Sequence, residues 1–525
     1  MLVNLRKNLF SPVLLIGWVL IITCYLFSKQ PDYLILLTFA QLVLVPAMLK
    51  MVVTFNKKGH VILIIMMLAV TLLHWLADSE LAIYLAVVYV LYTAFIALHG
   101  LTRFLQRGFT NIAEISIDIG LIYIFIGGLW FFAYIAKIDT GFSPLITWLT
   151  AIHFHYSACL LAISIGLFGR IHKSKGYNIV VLTLLSGPLL VALGIAFSTI
   201  IEIVSVALYI GAIYWLFKLL MKTSLPRRQG FLLRISYGSL CLTILWSLLY
   251  AFGNFTGIIL VSIPDMLTFH GLVNCLLFGL VGVIAWGLEV PKSTHQPFAF
   301  PVSRIRGKLH TIGDAHAGLV DALQNFVDTR KLPQVIPHFY EQTNCYRLIA
   351  SVQWRAWFKP LAFIYHGISR WMQQLNLPLT SKQVEMDGVI VKVDERQDGR
   401  HSPRAWIRTI DEQTIFVAIY SQHTTAQTTY MNIALPLPFS TMIGILYVYE
   451  KDGELHITSS HGGDAGIYLA MKHYVFRLPL NEHFTICAKN ETTLSAVHTM
   501  RIFGLPFLRI DYQIERKKDD HVRNC

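Results

Sequence analysis

The chain has 525 residues, of which 55% are hydrophobic and only 14% charged, with a formal net charge of +13. A composition this apolar excludes an ordinary soluble protein. The basic excess does not indicate nucleic acid, because in the first 290 residues it is dispersed over loops joining apolar segments.

The charge density changes along the chain. Residues 1–290 hold 17 Lys and Arg against 9 Asp and Glu, whereas residues 291–525 hold 26 against 21. The pattern predicts a transmembrane domain over 1–290, a linker over 291–310 and a cytoplasmic α+β domain over 311–525. None of the seven cysteines forms a C-x-x-C pair, so neither a disulfide framework nor a zinc module is expected.

Arg6 and Lys7 precede an apolar stretch with no small-residue cleavage site after it, which reads as an uncleaved first span. Ten apolar segments follow the ~20-residue requirement for crossing a bilayer: 11–27, 33–55, 61–77, 81–98, 112–136, 144–168, 178–197, 200–221, 231–252 and 266–288. Fifteen basic residues then fall in loops on one side and two, Lys29 and Lys137, on the other. This asymmetry predicts both termini in the cytoplasm. Basic residues at both ends of the long apolar run 179–217 require an even number of crossings, so two spans joined by a tight turn are expected there.

Polar residues inside spans mark candidate sites. His74 lies near the external end of span three and Glu202 near the external start of span eight. In span five, Asn111 and Glu114 have the spacing of a capping box, whereas Asp118, one turn deeper, predicts an ion or proton step or a pair with a basic loop residue. Gly187-Pro188 predicts a kink in span seven. Span six carries His153-Phe154-His155-Tyr156, whose two imidazoles stand about 200° apart on a helix and so cannot chelate one ion together unless the helix is broken. Span ten carries His270 and Asn274 on one face at i, i+4. His153 or His155 with His270 makes a candidate metal or haem site in the outer half of the membrane, with Asn274, His74, Glu202 and Tyr156 as further members of a polar cluster.

In the second half, 314–326 has helical periodicity. Residues 354–372 mix Trp354, Trp357, Phe358, Leu361, Ile364, Ile368 and Trp371 with Arg355, Lys359 and Arg370, which predicts a helix lying on the inner leaflet or one packed on its own sheet. Strands are expected over 388–393, 405–410, 415–421, 430–435, 442–449, 455–459, 467–474 and 509–514, with a hairpin turn at Asp452-Gly453, giving an antiparallel β sandwich or barrel. His461-Gly462-Gly463-Asp464 is a turn whose glycines could approach a ligand. No Walker loop, dinucleotide fingerprint, H-E-x-x-H, kinase signature or Ser/His/Asp motif occurs, so no catalytic residue is assigned.

The stretches Thr150 to Tyr156 (TAIHFHY), Phe269 to Asn274 (FHGLVN), Thr429 to Pro438 (TYMNIALPLP) and Phe503-Gly504-Leu505 resemble the YndJ-like membrane proteins of bacteria. That resemblance implies a polytopic plasma-membrane protein and carries no settled biochemical activity. The fold expectation is therefore an α-helical polytopic bundle of about ten spans followed by an antiparallel β domain. Three functions are compatible with it: a membrane-embedded metal or haem site, a transporter or lipid-headgroup binding protein, and a scaffold or sensor whose cytoplasmic domain binds a protein partner.

Overall fold

The computed structural model describes residues 8–517 except 29, 294–296, 308, 310–312, 373, 375, 411 and 412. Arg6, Lys7 and Lys29 of the loop-charge count lie outside the described residues. The chain divides into two compact units, one of residues up to Phe104 with Asn111–His295, the other of Leu105–Thr110 with residues from Gln296 onward.

The first unit is helical, and all ten expected segments form helices: α1 Pro12–Phe27, α2 Leu34–Val52, α3 Lys57–Leu76, α4 Leu81–Leu105, α5 Ile112–Ile135, α6 Pro144–Ile171, α7 Lys175–Phe197, α8 Thr199–Lys222, α9 Arg227–Thr256 and α10 Ile263–Leu288. Among the described residues, nine of these are long and apolar enough to cross a membrane, and α1, with 16 residues, is the shorter one. Short polar residues set the boundaries. Asn56, Ser143, Ser174 and Ser198 each accept a hydrogen bond from a first-turn backbone N–H, satisfying donors that lipid cannot. The run 179–217 is two helices separated by Ser198 alone, where Gly194 lets the backbone of Glu202 approach. Helix α7 runs through Pro188 without interruption, and Gly187 makes room there for the ring of Tyr209 on α8.

Two local expectations are corrected. Asn111 caps α5 by accepting from Ala113 N–H, but Glu114 does not complete a capping box, because its carboxylate is taken by two guanidinium groups. Residues 314–326 contain no α-helix. Their backbone groups are used elsewhere: Ala315 bridges Val391, His316 N–H donates to Ile390 O, and Leu319 and Val320 N–H donate to Tyr340 O. Only a 3-10 turn, Leu323–Asn325, remains.

Among the described residues, the second unit is built on twelve antiparallel strands: β1 Tyr346–Trp354, β2 Val384–Lys392, β3 Arg404–Ile410, β4 Gln413–Thr425, β5 Thr428–Leu437, β6 Ser440–Lys451, β7 Glu454–Thr458, β8 Gly466–Met471, β9 Tyr474–Arg477, β10 Leu480–Ala488, β11 Thr493–Ile502 and β12 Leu505–Arg516. Ten of them close into a barrel in the order β5-β4-β3-β2-β1-β12-β11-β10-β7-β6, sealed by β6 pairing with β5, while β8 and β9 extend from β6. Closure removes the unpaired edges that an open sheet would expose. Strand β1 alternates as a barrel wall should, with Tyr346, Leu348, Ala350 and Val352 buried and Arg347 outside, paired to Glu515 of β12. The turn at Asp452-Gly453 has positive φ at both residues, as its sequence predicts. Strands β1, β10 and β11 are additions to the expected set, and the single expected strand over 467–474 is two, turning at Lys472.

Two helices of this unit matter below. Helix α11, Val335–Glu341, adds Val335, Ile336 and Phe339 to the core shared with the barrel. Helix α12, Lys359–Met372, begins later than expected because Trp354 closes β1 and residues 356–358 form a 3-10 turn.

Candidate functional site

The membrane spans are not uniformly α-helical. Ala40–Leu44 in α2, Phe154–Leu160 in α6, and Met266–Leu272 and Asn274–Leu280 in α10 are π-helical. Such segments are rare and recur at functional sites, because the wider turn redirects side chains and loosens the backbone ladder. Here the segments of α2 and α6 and the Asn274–Leu280 segment of α10 pack on one another, while Met266–Leu272 packs on α9. Between them they hold Gln41, His155, Tyr156, Cys159, His270, Asn274 and Cys275.

His153 and His155 diverge as their spacing requires. Each ring donates its Nδ1–H to the carbonyl four residues back, His153 to Leu149 at 2.6 Å and His155 to Ala151 at 2.8 Å. His153 is the ring that meets span ten, lying 6.3 Å from His270 between ring centroids at an interplanar angle of 30°. His270 donates Nδ1–H to Thr243 O at 2.9 Å, and the Thr243 hydroxyl donates to Asn274 Oδ1 at 2.7 Å, so His270 and Asn274 both address α9. The other expected members are elsewhere. His74 bonds Ser28 and Thr38, each at 2.9 Å, and Glu202 accepts from Asn254 at 3.1 Å. The Tyr156 hydroxyl donates to Leu36 O at 2.8 Å and approaches Cys275 Sγ at 3.1 Å. Among the described residues, no group of three His, Cys, Asp or Glu side chains is placed to hold a metal ion.

Asp118 takes the pairing expectation. Its carboxylate accepts from Arg103 Nε at 2.8 Å, while Glu114 accepts from Arg103 Nη2 at 2.9 Å and from Arg170 Nε at 2.7 Å. The guanidinium groups continue to Val52 O and Pro291 O. This network joins α4, α5 and α6 at their basic-loop ends, and its carboxylates are buried.

His155 leads to a second polar group that the sequence reading missed. Its ring is fully buried, stacked on Tyr89 of α4 with centroids 5.8 Å apart, and hydrogen-bonded through Nε2 to the Tyr89 hydroxyl. Because Nδ1 is already the donor, Nε2 accepts and Tyr89 donates. Gly127 of α5 leaves the space for this ring, since a Cβ there would lie 2.9 Å from His155 Nδ1. Tyr92 and Cys159 are in electrostatic reach of Tyr89, and Gln41 faces it without meeting hydrogen-bond geometry. Gln41 is 1% exposed, and among the described residues its Nε2 and Oε1 both lack a hydrogen-bond partner, as does the Tyr92 hydroxyl. Each such group in an apolar interior costs about 1–3 kcal/mol. The signal was legible: an amide in mid-span is polar by the same rule that singled out the histidines.

A cavity of about 70 Å³ adjoins this group, lined among others by Leu37, Thr38, His74, Phe131, Tyr134 and Trp148. Leu37 and Thr38 lie one turn before Gln41 on α2, and Phe131 packs edge-on against Tyr89 at 5.3 Å. The cavity is at the helix ends opposite the basic loops.

A family model described as YndJ-like protein matches residues 35–278. A curated relative, "Uncharacterized membrane protein YndJ" of Bacillus subtilis (strain 168), is 39% identical over 454 residues, covering 82% of this chain and 83% of that protein. The chain belongs to the YndJ-like family. The family match spans the π-helical segments of α2 and α6 and most of those in α10, so the polar groups described above lie within it. No solved structure matches the chain.

Proposed function

We propose that the helical unit binds a small uncharged polar solute at Gln41, Tyr89, Tyr92 and His155, admitting it from the membrane face opposite the basic loops, as a transporter or solute-binding membrane protein does. The observation that carries this reading is Gln41, a fully buried amide with neither end partnered. An amide offers donors and acceptors together, and the side chains around it are hydroxyls, a thiol and an imidazole already fixed by backbone. That set matches a neutral ligand with its own donor and acceptor better than an ion. Phe131 both lines the cavity and packs against Tyr89, which links the cavity to this group. The charge asymmetry of the loops supports placing both termini in the cytoplasm, which makes the cavity external.

The test is a thermal-unfolding screen of detergent-purified protein against millimolar neutral solutes such as amides, polyols and nucleosides. A stabilising solute whose effect disappears in Gln41→Leu supports the reading. A Gln41→Leu protein that responds to every solute as the parent does, or no response from the parent at all, defeats it.

The metal or haem reading keeps one supporting observation, the His153–His270 pair. Stoichiometric metal or haem in purified protein that is lost in His153→Ala would favour it.

A further inference from the structure

Helix α12 is mounted with its apolar side outward. Its N-terminal end is pinned by Phe358, which stacks on Trp354 at 5.8 Å and meets Phe507 at 4.6 Å. After its C-terminal end, Gln374 bonds the backbone of Val417 through both its oxygen and its nitrogen. Between these anchors the inward residues are small or polar: Ala362 and Ser369 are buried. The outward residues are large and apolar, with Phe363 71% and Ile364 62% exposed and Leu361 and Ile368 about half exposed. A helix packed on its own sheet would show the reverse arrangement. Exposed contiguous apolar surface of this kind marks an interaction site.

The patch continues beyond the helix. Trp357 donates its indole N–H to Pro506 O at 3.0 Å, next to the β11–β12 turn, where Phe503 and Leu505 are exposed. Phe503 in turn packs edge-on against Phe109 at 5.6 Å. Phe109 belongs to the short 105–110 segment of this unit, and the chain passes from it directly into the span that starts after Asn111.

We infer that α12 and the Phe503 turn insert into the surface of an anionic bilayer, so that the β unit is a peripheral membrane module as well as a tethered one. Three observations select lipid over a second copy of the chain. Arg355 and Lys359 are exposed at the edge of the patch, and residues 354–372 contain no Asp or Glu, which complements anionic headgroups. A two-fold contact between two such faces would bring like charges together. The mixture of Trp and Phe with aliphatic side chains is that of interfacial helices, and the adjoining segment enters a membrane span within two residues.

The experiment uses the full chain with p-benzoylphenylalanine in place of Phe363, reconstituted into vesicles of phosphatidylcholine and phosphatidylglycerol and irradiated. The expected product is a lipid adduct by mass, reduced in vesicles of phosphatidylcholine alone and reduced by Arg355→Glu combined with Lys359→Glu. The same photoprobe at Leu182, an exposed apolar position of α7, reports lipid labelling in a span, and at Gln513, exposed on β12, reports the aqueous background. Labelling at Phe363 no greater than at Gln513, or a cross-linked dimer in place of the lipid adduct, overturns the proposal. A probe at Ile364 repeats the test where the Phe363 variant fails to insert.

Discussion

Tyr89 and Gln41 sit in the same buried environment and respond oppositely to loss of their polar atoms. Tyr89→Phe removes the donor to His155 Nε2 and leaves that nitrogen unpartnered in an apolar interior, so the protein loses about 1–3 kcal/mol. Gln41→Leu removes an amide that has no partner to lose and replaces it with a side chain of similar volume, so the ligand-free protein gains stability of the same order. Thermal unfolding of both variants in one detergent checks the signs. A destabilised Gln41→Leu would mean that the amide has a structural partner in the folded protein. The contrast also separates the two kinds of buried polarity. Tyr89 and His155 satisfy each other, whereas Gln41, which faces Tyr89, meets no hydrogen-bond geometry among the described residues.

At the scale of elements, the Asp118–Arg103–Glu114–Arg170 network ties three helices together by charge. Glu114→Gln leaves two guanidinium groups with half their partners in a site that is nearly dry, and a loss of about 3–5 kcal/mol is expected. Reduced folded yield and a lower unfolding midpoint in detergent would show it. Arg170→Lys is also expected to destabilise, because an ammonium cannot span Glu114 and the Pro291 carbonyl as the guanidinium does. A different sensitivity belongs to the β7–β10–β11 wall. Burial first, and then His456, His498 and Arg501, hold His483 below the ordinary histidine range, and burial lowers His316 and His338 as well. The unfolded chain therefore binds protons that the folded chain refuses, so stability is full above the ordinary histidine value of about 6.5 and falls as the pH drops below it. His483→Gln should flatten part of that acid dependence in a denaturation series across pH. Spans and most strands were legible because each rests on a local pattern, apolar length in one case and alternation in the other. The ion network was not, since nothing in the spacing of Arg103, Glu114 and Arg170 says that three helices converge. Residues 314–326 misled for the same reason: a helical period was present, but strand β2 and Tyr340 captured the backbone first.

For the whole molecule, the two units obey different rules of legibility. The loop charges made the helical unit readable as a topology before any contact was known, and the even crossing of 179–217 followed from charge parity. The barrel was readable as a class only, because closure depends on β5 meeting β6 and on β1 meeting β12 across more than 150 residues, which alternation within a strand does not encode. Of the four candidate-site residues Gln41, Tyr89, Tyr92 and His155, only His155 was singled out by the sequence. His153, His155 and His270 stood out as polar rings in apolar runs, whereas Tyr89 and Tyr92 looked like ordinary span aromatics until His155 and Gln41 were placed beside them. Topology is where the sequence makes its most consequential claim about the intact protein. If the basic loops face the cytoplasm, a reporter that fluoresces only in the cytoplasm is active when fused after residue 525, and one that requires export is active when inserted in the loop near Asp139, which lies on the opposite side. The reverse pattern would put the cavity beside Gln41 on the cytoplasmic face and turn the proposed entry of solute into exit. Neutralising Arg227 and Arg228 tests the cause: with fewer cationic residues between α8 and α9, a fraction of the chains should insert α8 and α9 in the inverted sense and lose the cytoplasmic signal.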